Sequence, residues 1–374
     1  MKIIILLLFI SFSHCLNYTD IIPLVDEVND KYFRDSDYLW ECTNGICSWW
    51  ESARMVDTIN DLLHALYFHG VNNNFTHKLE KMIDEIYYRY ANVAACNNCT
   101  NNVDYITGFI QCDASIIGYY DDEAWWGLAW MRAYERTRYQ KIQRPEYLNI
   151  SIYIHQHMTS GWNSDCSGGI PWTHCGGYKA AIQNELYILL STKLYLYTRN
   201  NYYYKMAERG LGWFLGSGML DDNYSVNGGL DISCNNDRSA GYTYNQGIIL
   251  PALAYLNGYG IADKMINNVI GNDSKYLFGY ILREIDCEFT NTCDENSQMF
   301  KGIYIQYLKD YYMLNPSSDI KKVIIANAYA IQDVIMYNSV PLSWVKNPTY
   351  NNPITFKTSL SGITALTSYL WMLI

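Results

Sequence analysis

Apolar residues recur at helical spacing over most of this 374-residue chain, and strand-like alternation is scarce. That periodicity predicts helices over 21–34, 50–69, 76–94, 120–137, 145–158, 178–199, 202–216, 241–257, 259–270, 298–313, 318–337 and 357–373. The second, fourth, sixth, eighth, tenth and twelfth carry apolar and aromatic residues almost all round, as in Ala124-Trp125-Trp126-Gly127-Leu128-Ala129-Trp130. Helices of that kind are buried, whereas intervening ones such as 76–94 and 202–216 keep a polar face. Buried and exposed helices in alternation predict an all-α fold, an (α/α)6 barrel of six helical hairpins with the inner helices lining it. A ligand would then sit where the inner-helix N-termini and loops converge. An open solenoid would need a fixed repeat length, and none is found. No Pro/Ser linker or composition break divides the chain, so residues 16–374 are expected to form one domain.

The composition narrows the ligand. Hydrophobic residues make up 49% and charged residues 17%, against about 25% charged in ordinary domains, which excludes a disordered chain. A formal charge of −10, with no Lys/Arg block beyond dipeptides, excludes a nucleic-acid partner and an anionic membrane surface. A neutral ligand is expected, taken by a monomer. The aromatic content of 16%, with 36 Tyr and 11 Trp, suits stacking on flat apolar faces such as those of sugar rings.

Residues 1–15, Met1-Lys2 followed by an apolar run ending near Ser13-His14-Cys15, have the pattern of a secretory signal peptide, too short for the roughly 20 residues of a membrane span. A secreted chain is therefore expected. Ten cysteines remain after it, an even number that reads as disulfides, and short spacings suggest pairs 42 with 47, 166 with 175 and 287 with 293. The spacing leaves Cys96, Cys99, Cys112 and Cys234 unassigned; zinc at Cys96-Asn-Asn-Cys99 is the alternative, but no second CxxC or histidine pair completes it. Six sequons, at Asn17, Asn74, Asn98, Asn149, Asn223 and Asn272, fit a glycosylating route. The apolar tail from Thr364 is expected to be the last inner helix; its alternative is the removable tail of a lipid-anchor signal, the one route to a membrane.

The densest chemistry lies in Gly118-Tyr119-Tyr120-Asp121-Asp122-Glu123-Ala124-Trp125-Trp126. Adjacent carboxylates at the start of a buried helix resist joint ionisation, which is one way to obtain an acid beside a nucleophile. Glycoside hydrolysis needs such a pair, about 5–5.5 Å apart for the retaining route and about 6.5–9.5 Å for the inverting one. The alternative is that Asp121, Asp122 and Glu123 merely favour a helix N-terminus.

The segment Tyr119 to Thr137, YYDDEAWWGLAWMRAYERT, closely resembles the signature of glycoside hydrolase family 76, the endo-α-1,6-mannanases with a six-hairpin α/α barrel. Ser48-Trp49-Trp50-Glu51-Ser52-Ala53, Gly168 to Trp172, Tyr178 to Leu186, Thr243 to Gly247 and Phe300 to Ile303 match in the same order, so the resemblance covers roughly residues 20–373. It implies Asp121 as nucleophile and Asp122 as general acid/base, with no cofactor and no metal, acting on internal linkages of an α-1,6-mannan lying across an open groove. It also implies Trp50, Trp125, Trp126 and Trp172 as sugar platforms. Two departures stand out: the family's K-N-A-I reads Lys179-Ala180-Ala181-Ile182, losing an amide, and Gly-Gly-Ile-Trp-Trp reads Gly168-Gly169-Ile170-Pro171-Trp172. Hydrolysis is expected over transfer to a second sugar, a reaction open to the same pair and attributed to fungal relatives. A mannan-binding lectin would have lost one carboxylate.

Other polar residues have two readings each. Asn184, Asn245 and Gln246, with Tyr244 beside them, either tie inner helices together or bond vicinal sugar hydroxyls. Lys301 and Glu185 either pair within the barrel or contact the sugar. Asp231, in Asn227-Gly-Gly-Leu-Asp231, matches an acidic loop position of the family loosely; a plain turn or a weak calcium ligand are its alternatives. His155 and His157, two apart on a helix, make a poor metal pair and are expected at the surface.

Overall fold

The computed structural model describes residues 16–36, 38–40, 49–94, 118–239, 241–285, 287–290, 292–346, 348 and 351–373. The expected signal peptide, Cys42, Cys47, Cys96, Cys99, Cys112 and the sequon at Asn98 lie outside them. Twelve α-helices are present among the described residues: α1 (Ile22–Tyr32), α2 (Trp49–Phe68), α3 (Asn74–Ala94), α4 (Tyr120–Tyr139), α5 (Pro145–Ser160), α6 (Ala181–Thr198), α7 (Asn201–Gly216), α8 (Leu250–Tyr255), α9 (Tyr259–Ile270), α10 (Phe300–Tyr312), α11 (Ser318–Val334) and α12 (Phe356–Leu370).

The even-numbered helices form a closed ring, α2 on α4, α4 on α6, α6 on α8, α8 on α10, α10 on α12 and α12 back on α2. Outside it, α3, α5, α7, α9 and α11 each pack on the inner helix that precedes them, and α1 covers α12. This is the (α/α)6 barrel the periodicity predicts. Local chemistry sets the helix ends. Proline stands in the first turn of α1, α5 and α8, where its missing N–H costs nothing. Thr355 and Thr358 cap α12 reciprocally, and Asn200 Oδ1 receives the Tyr202 N–H at the start of α7. Gly302 is required where α10 crosses α12, because a Cβ there would lie 2.3 Å from the Ser361 carbonyl.

The barrel is not oily throughout. Arg132 on α4 meets Asp57 at 2.5 Å and Asp310 at 2.8 Å, Lys309 meets Asp61 at 2.9 Å, and Arg54 binds Asp57 and Gln306. These buried pairs join α2, α4 and α10 inside the barrel, each charge compensated as burial demands.

The eighth helix is shorter than expected. Residues 244–246 form a 3-10 turn, and the α-helix begins at Leu250. Side-chain bonds hold the preceding segment off the helical path: Gln246 brackets the Val226 backbone N–H and carbonyl at 2.8 and 2.9 Å, and Thr243 is bound twice by Glu284. The sixth helix starts late for a similar reason, because Lys179–Ala180 pairs antiparallel with Gly229–Leu230.

The cysteines also correct the spacing argument. Cys287 bonds Cys293 as expected, but Cys166 bonds Cys234, and Cys175 is disulfide-bonded elsewhere. Cys166 has a left-handed backbone (φ 51°) that places its Cα 5.2 Å from that of Cys234 on another loop. No described helix is long and apolar enough to cross a membrane.

Candidate active site

A cavity of 600 Å³ opens at the N-terminal ends of the inner helices. Trp50 from α2, Asp121, Asp122 and Trp125 from α4, Tyr244 and Asn245 before α8, and Phe300 from α10 all line it, with Trp172 and Tyr178 from the loop before α6. Its walls are aromatic: Trp50 stacks on Trp125 with centroids 5.9 Å apart, and Tyr244 on Phe300 at 3.9 Å. Trp172 is 38% exposed, and its ring meets Tyr119 at 4.8 Å.

The acidic pair occupies the first turn of α4. Tyr119 enters extended and bridges to Thr173, and the Tyr120 N–H donates to the Trp172 carbonyl at 3.0 Å. The Trp172 indole N–H then donates to Asp121 Oδ2 at 3.1 Å, while Asp121 Oδ1 accepts no hydrogen bond among the described residues. Burial raises the Asp121 carboxyl to about 6, against the lowering influence of the Trp172 donor and the backbone N–H groups of the first turn. Asp122 stands higher, well above the usual carboxylate range. Burial is the largest cause, followed by the charges of Asp121, Glu51 and Glu123. Both carboxyls are thus raised, Asp121 to about 6 and Asp122 well above the usual range, an inequality of the kind that an acid placed beside a nucleophile uses.

Glu123, the third acid, faces away from the cavity. Its fully buried carboxylate lies 2.6 Å from His157 Nδ1 and 2.5 Å from His174 Nε2. These three are a group among the described residues whose donor atoms converge, all within 4.8 Å. Oxygen and nitrogen already meet at hydrogen-bond distance, closer than two ligands about 2.0–2.2 Å from a shared zinc would stand.

The structure separates the other expected site residues. Trp50, Trp125, Trp172, Tyr244 and Asn245 line the cavity with the pair, and Asn245 Oδ1 is buried with no hydrogen bond from a described residue. Trp126 is 1% exposed and stacks on Trp130. Asn184 brackets the Ile170 backbone at 2.9 and 3.0 Å, and Gln246 holds Val226, so both amides shape loops. Lys301 pairs with Glu288 at 2.9 Å rather than with Glu185, whose carboxyl is buried without a described hydrogen-bond partner and is raised well above the usual carboxylate range by burial. Asp231 lies on the exposed loop and accepts the Ser233 and Asn235 N–H groups in a plain turn. The acidic loop residue that lines the cavity is Asp237, bound to the Tyr178 hydroxyl at 2.5 Å. His155 is not at the surface; it is buried, bonds Ser191 at 2.8 Å and stacks on Tyr187. Two residues apart on α5, His155 faces α6 while His157 faces the start of α4. Tyr178, Asp237 and Asn296 also line the cavity; Tyr178 stands in one of the matching segments, and nothing in the sequence around Asp237 or Asn296 marks them.

An all-α barrel with two unequal carboxyls in an aromatic cavity has the build of a glycosidase. The family model for glycosyl hydrolase family 76 matches residues 27–372, and the chain belongs to that family. It is 26% identical over 338 residues to the mannan endo-1,6-α-mannosidase DCW1 of Candida albicans, covering 84% of this chain and 72% of that one. To the mannan endo-1,6-α-mannosidase DFG5 of Saccharomyces cerevisiae it is 26% identical over 283 residues, 71% of this chain but 61% of the relative, so the chain spans less than two thirds of that protein. Among solved structures it resembles an inactive variant of an α-1,6-mannanase of Salegentibacter sp. HEL1_6, changed from Asp to Asn at two adjacent positions and in complex with α-1,6-mannotriose. The TM-score is 0.73 at 17% identity, over 95% of this chain and 99% of that one.

Proposed function

We propose that this glycosidase cleaves internal α-1,6-mannosidic linkages by a retaining double displacement. The observation that carries the reading is the inequality of Asp121 and Asp122 at the floor of one aromatic cavity. The Asp121 carboxylate attacks the anomeric carbon as the bond to the leaving oxygen breaks, and the Asp122 carboxyl gives that oxygen its proton. Water then loses a proton to Asp122, attacks the anomeric carbon and releases Asp121. Trp50, Trp125 and Trp172 present ring faces to successive sugars, and Asn245 offers an acceptor to a hydroxyl. The mannan substrate is supported by the relatives' activities and by the mannotriose bound to the structural neighbour.

The test is incubation of the purified protein with α-1,6-mannooligosaccharides, following product sizes by mass spectrometry. Shorter oligosaccharides are expected. Products longer than the substrate, dominant at low substrate concentration, would replace hydrolysis by transfer to a second sugar, and no cleavage would remove the mannan substrate.

A further inference from the structure

Glu123 is the one acid of the motif that the reaction does not use, yet it is the most completely enclosed. Its carboxylate lies between two imidazoles from separate elements, His157 on α5 and His174 on the loop before α6. Tyr120 packs beside both, with centroids 5.5 and 4.4 Å away. The space is tight, because a Cβ on Gly118 would lie 2.5 Å from His174 Nδ1. His174 stands two residues after Trp172, and its own backbone N–H donates to the Gly118 carbonyl at 3.0 Å. The loop is thus fastened to the first turn of α4 at two levels, backbone and side chain. The one side chain of that loop that hydrogen-bonds the acidic pair is Trp172, through Asp121 Oδ2.

We infer that Glu123 is a positioning residue which, through His174, registers the Trp172 indole N–H on Asp121. His157 Nδ1 hydrogen-bonds one carboxylate oxygen, and His174 Nε2 stands against the other at ion-pair distance. The effect of this clamp is read at Asp121, which is faced by Asp122 and Glu123 from its own turn, by Tyr244 before α8, and, beyond Asp122, by Glu51 of α2. This inference deepens the proposed reaction, but its test does not require activity.

The test is a carboxyl-¹³C NMR titration of Asp121 in the full chain, comparing wild type with Trp172→Phe, His174→Ala and the double variant. Trp172→Phe removes a donor to the ionised carboxylate and should raise the Asp121 midpoint by about half a pH unit or more. His174→Ala should raise it in the same direction, and the double variant should go no further than Trp172→Phe alone, since one residue acts through the other. His174→Gln, which returns an N–H donor of similar reach, should restore most of the wild-type midpoint. If His174→Ala does not fold, His174→Phe keeps the ring packing, removes only the nitrogens, and carries the same expectation. A midpoint unmoved by loss of the imidazole, or shifts that add in the double variant, would overturn the inference. So would stoichiometric zinc in the purified protein, since a metal would then hold the imidazole nitrogens. Absence of mannan cleavage with the coupled shifts intact would reject the substrate and leave the clamp standing.

Discussion

Lys357 Nζ lies 2.7 Å from Glu51 Oε1, and this buried pair closes the helical ring by joining its last member, α12, to its first, α2, on the side where Asp122 stands. Burial raises the Glu51 carboxyl, and Lys357 is its largest opposing influence. Removing the lysine leaves a buried carboxylate uncompensated, which typically costs about 3–5 kcal/mol. Lys357→Met should therefore destabilise the chain by about that amount in urea unfolding. Replacing both members, Glu51→Leu with Lys357→Met, should cost less than the single change.

The two aspartates should separate kinetically. In the proposed reaction Asp122→Asn removes the proton donor and is expected to lower kcat on mannooligosaccharides by about 10²–10⁴-fold. An aryl mannoside whose leaving group needs no proton should escape most of that loss in its first step. Asp121→Asn removes the proposed attacking group and should abolish turnover of both. Circular dichroism of both variants should match wild type.

The same pair makes stability depend on pH. Both folded carboxyls titrate above the ordinary value of about 3.9, so the proton is held more tightly in the folded than in the unfolded state. The stability this contributes is present in acid and is lost as pH rises, through about 6 for Asp121 and higher for Asp122. Asp122→Asn should accordingly melt above wild type at pH 8, with the difference shrinking toward pH 4. In the wild type, kcat/KM should rise through about pH 6 as Asp121 ionises and fall at higher pH as Asp122 loses its proton.

The Cys166–Cys234 disulfide ties the loop carrying Trp172 to the loop carrying Asp237 across a sequence separation of 68. The chain-entropy account of such a closure gives about 4 kcal/mol. Replacing both cysteines by serine should lower the melting temperature and also raise KM, since the two loops form facing parts of one cavity. A change in melting temperature with KM unaltered would show that the bridge supports only the fold.

The barrel was legible because helical periodicity and all-round apolarity are local properties of each segment, as in Ala124 to Trp130. The acidic pair was legible because Asp121 and Asp122 are neighbours in the chain. What escaped the sequence depends on distant partners. Nothing near Gln246 announces that Val226 will hold it off a helix, and nothing near Cys166 favours Cys234 over the closer Cys175. Asp231 and Asp237 share one loop, and only the tertiary bond from Tyr178 shows that the second faces the cavity. His157 looked like a surface residue because its partner Glu123 lies 34 positions away.

In the proposed reaction Asp121 attacks the sugar itself rather than activating water. Proton NMR of the reducing end first released from α-1,6-mannotetraose tests it most directly, recorded before mutarotation mixes the anomers. Two displacements at one carbon restore the starting configuration, so the new end should appear as the α anomer. Initial formation of the β anomer would mean a single displacement by water and would contradict the assignment of Asp121 as nucleophile.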